Sequence, residues 1–136
     1  MIYLLDTNAV TDLSRNHREV TLNRNLRLQQ RHQIALCPPV YYESLRGLLK
    51  VKATAQIARL RNQFIPLCDW FSVTDEDWLQ AAQFWADVEN KGRKLSDIDL
   101  LIAAIAHRIG AVIVSADADF DALSVQRNDW RLPPPT

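Results

Sequence analysis

Cysteine is scarce in this chain: there are two, Cys37 and Cys68, and no CxxC pair. Both lie in or beside apolar runs, Ile34–Cys37 and Phe64–Cys68, so they read as reduced core thiols and not as a disulfide framework. The three histidines, His17, His32 and His107, are scattered without zinc-ligand spacing and are expected to be structural or surface residues. Long hydrophobic runs are missing too. The longest, Leu100–Ala106, is far too short to cross a bilayer, and no charged-then-apolar leader opens the chain, so a cytoplasmic protein with no membrane partner is expected. Repeats, linkers and low-complexity tracts are absent, and 136 residues suit one domain, residues 1–136, able to fold without metal or disulfide.

Net charge is also lacking, since 16 Lys and Arg balance 16 Asp and Glu. That argues against a protein that grips nucleic acid by bulk electrostatics alone. The distribution is uneven, however: residues 1–68 hold ten Lys/Arg against four Asp/Glu, and residues 69–136 hold six against twelve. Such a chain can offer a basic face to a polyanion while an acidic pocket holds cations.

What is present is a regular alternation of short apolar runs and amphipathic stretches. Ile2–Leu5 opens the chain as a buried central strand and leads straight into Asp6-Thr7-Asn8. Ala9–Ser14 is predicted helical, with Thr7 or Asn8 as its cap. His17–Arg31 continues as helix, with Leu22 and Leu26 as a thin apolar stripe and Arg24, Arg27 and Arg31 as a basic one, either a solvated face or a phosphate-tracking surface. Ile34–Cys37 is a second strand, and Pro38-Pro39 starts the helix Val40–Lys50. A helix over Ala53–Phe64 follows, then a third strand at Trp70–Val73. Asp75–Lys91 is predicted as a helix whose packed face carries Trp78, Ala82, Trp85 and Val88. Gly92 ends it, Leu95–Ile109 forms a helix sandwiched between layers, Gly110 closes that, and Ala111–Val114 is a fourth strand. Ser115–Phe120 reads as loop and short helix, and the tail from Pro133 to Thr136 as frayed. The fold class is therefore α/β: a short parallel sheet of about four to five strands flanked by helices in three layers.

That topology brings distant acids together. Asp6 follows the first strand and Asp117 the fourth, so both leave the carboxyl edge of the sheet. Glu43 lies near the start of the helix after strand two, and Asp99 near the start of the helix that runs back to strand four; both helices begin at the same edge. Four carboxylates in one cleft repel strongly unless cations neutralise them or their pKa values rise. An all-oxygen cage suits Mg²⁺ or Mn²⁺, and the chemistry it supports is phosphodiester hydrolysis. Each acid has a plainer reading as well. Ser96-x-x-Asp99 has the form of a capping box, Glu43 can be an exposed acid, and Asp97 a first-turn charge. Asp117, Asp119 and Asp121 are spaced like a calcium loop, but Ala122 and Asn128 stand where an EF-hand needs glycine and glutamate.

These stretches together resemble a known family. LLDTN at Leu4–Asn8, Glu43 followed by Arg46-Gly47, DLLIAAIA at Asp99–Ala106 and VSADADF at Val114–Phe120 look like a PIN-domain ribonuclease of the VapC toxin type. The resemblance implies a PIN-like fold and a metal-dependent endoribonuclease, with metal-binding acids at Asp6, Glu43, Asp99 and Asp117. Supporting polar residues would be Thr7 or Asn8, Ser115 and Asp119. It also implies an RNA substrate, a homodimer and an antitoxin partner; attack by a metal-generated hydroxide on that RNA would leave a 5′-phosphate and a 3′-hydroxyl. Arg24, Arg27, Arg31 and Arg46 are the candidates for holding the RNA backbone. Leu48, Leu49, Ile57 and Leu60, on two helices with surplus apolar surface, are the candidates for antitoxin contact. Two rivals remain: a partner-binding domain of the same fold without activity, and a receiver-type signalling domain. The receiver reading is weak, because strand one delivers only Asp6 and no lysine follows Val114.

Overall fold

The computed structural model describes residues 1–135. Five parallel strands form one sheet in the order β3-β2-β1-β4-β5, where β1 is Ile2–Leu5, β2 Gln33–Leu36, β3 Asp69–Trp70, β4 Val112–Val114 and β5 Gln126–Asn128. The first strand is central, flanked in register by β2 (Tyr3 opposite Ile34) and β4 (Tyr3 opposite Val112). Leu4, Leu5, Ile34–Leu36 and Val112–Val114 are buried, as strands covered on both faces require. β3 is only two residues long, shorter than Trp70–Val73, and β5 is an addition: Gln-Arg-Asn has no apolar run, and an edge strand needs none.

Between β1 and β2 lie α1 (Thr7–Ser14) and α2 (Arg18–Gln29). α3 (Pro38–Lys50) follows β2, and α4 (Thr54–Arg59) continues through a π turn at Leu60–Phe64 and a 3-10 turn at Ile65–Leu67. α5 (Asp75–Asn90) and α6 (Asp97–Ile109) carry the chain from β3 back across to β4. Right-handed crossovers put the helices between β1, β2 and β3 on one face and the α5–α6 pair on the other, because the direction of travel along the sheet reverses. α6 is buried continuously from Leu100 to Ala106, the sandwiched helix that its composition foretold. Gly110 ends it at φ +67°, in the left-handed region that a side chain resists.

Four expectations about faces are corrected. The cap of α1 is Asp6, whose carboxylate accepts the Thr7 N–H, and not Thr7 or Asn8. On α2 the inward face is Val20, Asn23 and Arg27, while Leu22 is exposed; Asn23 Nδ2 is satisfied by the carbonyls of Trp130 and Leu132, which ties the C-terminal segment down. On α5 the packed face is Asp77, Ala81, Phe84 and Val88, and Trp78 and Trp85 stand about half exposed. Of the apolar residues on α3 and α4, Leu48 and Leu60 are buried in the core; Leu49 is exposed and Ile57 partly so. Pro133–Pro135 carry neither helix nor strand, and Thr136 lies outside the described residues. Among the described residues no helix is long and apolar enough to cross a membrane. Both cysteines are free, and burial pushes each thiol up to about 12, so neither is a ready nucleophile.

Candidate active site at the carboxyl edge of the sheet

The backbone of β1 ends by donating the Asp6 N–H to the Val114 carbonyl on β4, at 3.0 Å. The Asp6 side chain is buried and held at both oxygens: Oδ1 accepts the Thr7 N–H at 2.6 Å and Oδ2 accepts the Ser115 hydroxyl at 2.7 Å. Ser115 in turn accepts the Asp117 N–H at 2.9 Å, and Asp117 Oδ1 accepts the Asp119 N–H at 2.9 Å, capping a 3-10 turn at Ala118–Ala122. One hydroxyl thus fixes the acid after β1 against the acid after β4. The Ser115 backbone is held from β5: its N–H donates to the Asn128 carbonyl, and its carbonyl accepts from Arg127, which also forks onto Asp121. Arg127 is a supporting residue that the sequence did not announce, since it sits 12 positions away on a strand without an apolar signature.

Asp99 is the third residue of α6, where its N–H donates to the Ser96 hydroxyl at 3.1 Å. Glu43 is in the second turn of α3, about a quarter exposed, and meets Arg46 at 3.4 Å; the Arg46 guanidinium lies 5.1 Å from the centre of the Tyr42 ring. Two of the four acids, Asp6 and Asp99, feel the charges of others in the group. Burial pushes the Asp6 carboxyl up; the Ser115 and Thr7 bonds oppose this, and the charges of Glu43 and Asp117 add to it. Asp99 is pushed up to about 6 by burial first and then by Asp6, with Asp117 and Glu43 adding and the Ser96 bond opposing. These are the expected marks of carboxylates that are buried and gathered together, with Arg46 at Glu43 as the cation beside them. Among the described residues no three acid, histidine or cysteine side chains already stand in a metal-holding arrangement, so the acids share a field without being closed around an ion.

The donor set fits a hard divalent cation. It is anionic and made of oxygen, and Thr7 Oγ1 next to Asp6 is buried without a hydrogen-bond partner. Asn8 is exposed and lines a shallow crevice with Asp12, Ser115 and Arg131, so it sits to one side of the acids. Asp119 is exposed and faces a different cavity, described below, although its backbone supports Asp117.

The arginines divide. Arg46 belongs to the acidic edge. Arg27 does not: it is buried, with its guanidinium 5.3 Å from the Tyr3 ring centre and 5.8 Å from that of Trp130, and cannot reach a phosphate. Arg31 lies at the opposite edge, on the turn after α2 beside His32, whose Nδ1 is 3.0 Å from the N-terminal amine of Met1. Arg24, half-buried and bonded to Asn25, lies on the same descending helix. α2 delivers its C-terminal half to the amino edge, away from the acids.

A family model described as PIN domain matches residues 3–126. The chain belongs to the PIN-domain family. It is 34% identical over 125 residues to a VapC ribonuclease of Mycobacterium bovis and to the ribonuclease VapC11 of Mycobacterium tuberculosis, a match that covers 89% of this chain and 90% of each relative. Among solved structures, VapBC2 from Rickettsia felis bound to a promoter DNA fragment superposes with a TM-score of 0.84 at 23% identity, covering 94% of this chain and 98% of that one. FitAB bound to a DNA fragment superposes at 0.83 with 20% identity, covering 98% of each chain. At those identities the superpositions establish the fold alone.

Proposed function

We propose that this chain is a Mg²⁺- or Mn²⁺-dependent endoribonuclease, the toxin of a toxin–antitoxin pair, with Asp6, Glu43, Asp99 and Asp117 as the cation-holding acids. The observation that carries the reading is the Ser115 hydroxyl that fixes Asp6 to the Asp117 backbone at the carboxyl edge of the sheet, where the charges of Asp6, Asp117 and Glu43 all lift the Asp99 carboxyl. The relatives at 34% identity are named ribonucleases, which supports RNA as substrate. When bound there, a divalent cation acidifies a water for in-line attack and offsets charge on the departing oxygen. The chain's own part is to hold the carboxylates still. Ser115 orients Asp6 and Asp117 together, Thr7 offers its free hydroxyl, and Ser96 anchors Asp99. Asn8 and Asp119 flank this group. Arg46, already at Glu43, is placed to steady a backbone phosphate.

The same reading includes a homodimer and an antitoxin. Similar solved structures include a toxin–antitoxin complex from Klebsiella pneumoniae and VapBC structures from Rickettsia felis, Haemophilus influenzae and Salmonella typhimurium, which supports the second partner. Leu49 and Ile57, the two antitoxin-contact candidates left accessible on α3 and α4, are its expected footprint. The test is cleavage of single-stranded RNA by the purified chain with Mg²⁺ or Mn²⁺ and with EDTA, beside Asp6→Asn and Asp99→Asn. Loss of cleavage in EDTA and in both variants is expected; undiminished cleavage in both variants ends the proposal. Light scattering tests the dimer, and protection of Leu49 and Ile57 on antitoxin binding tests the footprint.

A further inference from the structure

We infer that Arg93 and Lys94, on the loop between α5 and α6, form a phosphate-binding wall of the substrate groove, and that Asp119 opposite them limits its affinity. This rests on the ribonuclease reading above and adds to it where the RNA strand runs. The two cations line a cavity of about 310 Å³ with Leu95, Ala118, Asp119 and Ala122. One side of that cavity is the segment that leads into the Ser96 cap and Asp99; the other is the turn capped by Asp117. The cavity therefore borders the acids on the side of Asp99 and Asp117.

Charge makes the need specific. A polyanion approaching a cluster of carboxylates is repelled unless fixed cations flank it. Four arginines are committed elsewhere: Arg127 to Asp121, Arg131 to Asp12, Arg108 to Asp77 and Arg59 to the Ser14 carbonyl. Arg93 and Lys94 are exposed, and among the described residues neither makes an ion pair or a side-chain hydrogen bond. Their loop is nonetheless well placed. The Arg93 N–H donates to the Val88 carbonyl at 2.8 Å and the Gly92 N–H to the Glu89 carbonyl at 3.0 Å, and Gly92 takes φ +69° to make that closure. The cations are thus presented from an anchored helix end. Asp119 contributes a negative charge to the same wall, so removing it strengthens the attraction.

The experiment compares wild type, R93Q/K94Q, R93K/K94R and D119N. Steady-state cleavage of a single-stranded RNA is measured for each. Binding of the same fluorescein-labelled RNA is measured across a salt series, in an Asp6→Asn background so that it stays intact. R93Q/K94Q is expected to raise KM about tenfold with kcat at saturation unchanged, and to flatten the plot of log affinity against log salt by about 1.4 for two phosphate contacts. R93K/K94R keeps the wild-type slope, and D119N lowers Kd. Melting temperatures within a degree of wild type establish that the loop variants fold. If the wild type cleaves RNA while R93Q/K94Q keeps its KM and salt slope, this inference is overturned and the nuclease reading stands. If the wild type neither cleaves nor binds RNA, both fall.

Discussion

The Ser115 hydroxyl donates to Asp6 at 2.7 Å across 109 positions of chain, and the same oxygen accepts the Asp117 N–H at 2.9 Å. Both acids depend on one side chain for their relative placement. Ser115→Ala leaves the buried Asp6 carboxylate short of a partner, which costs about 1–2 kcal/mol of stability and raises its proton affinity further. Chemical denaturation should register that loss, and RNA cleavage should fall more than tenfold. Ser115→Thr keeps the hydroxyl and should restore most of both.

Asp99 makes the metal-free chain sensitive to pH in a definite direction. Its folded value of about 6 lies above the ordinary 3.8, so the folded state binds the proton more tightly. Stability without metal therefore declines as pH rises from about 4 to about 6, and Asp99→Asn removes the Asp99 share of that decline, leaving that of Asp6. At pH 7 in EDTA the variant should be the more stable by on the order of 1 kcal/mol, given partial solvent access. A variant less stable than wild type under those conditions would count against the clustered-carboxylate picture.

Cation binding should reverse that order. Because an ion that binds only the folded state stabilises it by mass action, Mg²⁺ or Mn²⁺ at a hundred times its Kd adds about 2.7 kcal/mol to the wild type. Thermal melting with increasing metal should raise the wild-type Tm and leave Asp6→Asn and Asp99→Asn nearly unmoved. Equal shifts in all three would place the ion elsewhere.

Arg108 grips the buried Asp77 with bonds of 2.9 and 3.0 Å and reaches the Ser72 carbonyl with a third. Burial pushes the Asp77 carboxyl up, but the Arg108 and Thr74 bonds together outweigh it and hold it below the usual range. Its contribution is therefore present above the ordinary carboxyl value of 3.8 and is lost as pH falls from there through the lower folded value. Arg108→Ala should cost about 3 kcal/mol at pH 7 by stranding that charge, with KM and kcat of the folded fraction unchanged.

Arg27 and Arg31 should behave differently from each other and from Arg46. Arg27→Ala removes the guanidinium stacked on Tyr3 and Trp130 and should lower Tm, while Arg31→Ala should change neither Tm nor KM. Arg46→Ala should raise KM. RNA binding by the three variants at fixed salt checks the assignment.

The α5 helix illustrates what a sequence can and cannot say about itself. Its periodicity, its acidic first turn and its end before Gly92 were all legible, because they follow from local backbone chemistry. Which face is buried was not: Ala81, Phe84 and Val88 make one apolar stripe and Trp78, Ala82 and Trp85 another, and only the position of α6 selects between them. Arg27 is a similar case. Helical spacing groups it with Arg24 and Arg31, and only the C-terminal Trp130, folded back over Tyr3, converts it from a surface charge into a buried one. β5 escaped notice because it is polar and at an edge, yet it is what pins Ser115.

The sequence by itself determined the alternation of strand and helix, the central place of Ile2–Leu5 and the edge at which Asp6, Glu43, Asp99 and Asp117 emerge, since parallel connectivity leaves those acids nowhere else to go. Tertiary structure alone decided which arginines face that edge, how Ser115 couples two of the acids and how far burial lifts Asp99. Those outcomes depend on distances between segments far apart in the chain, and a local pattern carries no information about such distances.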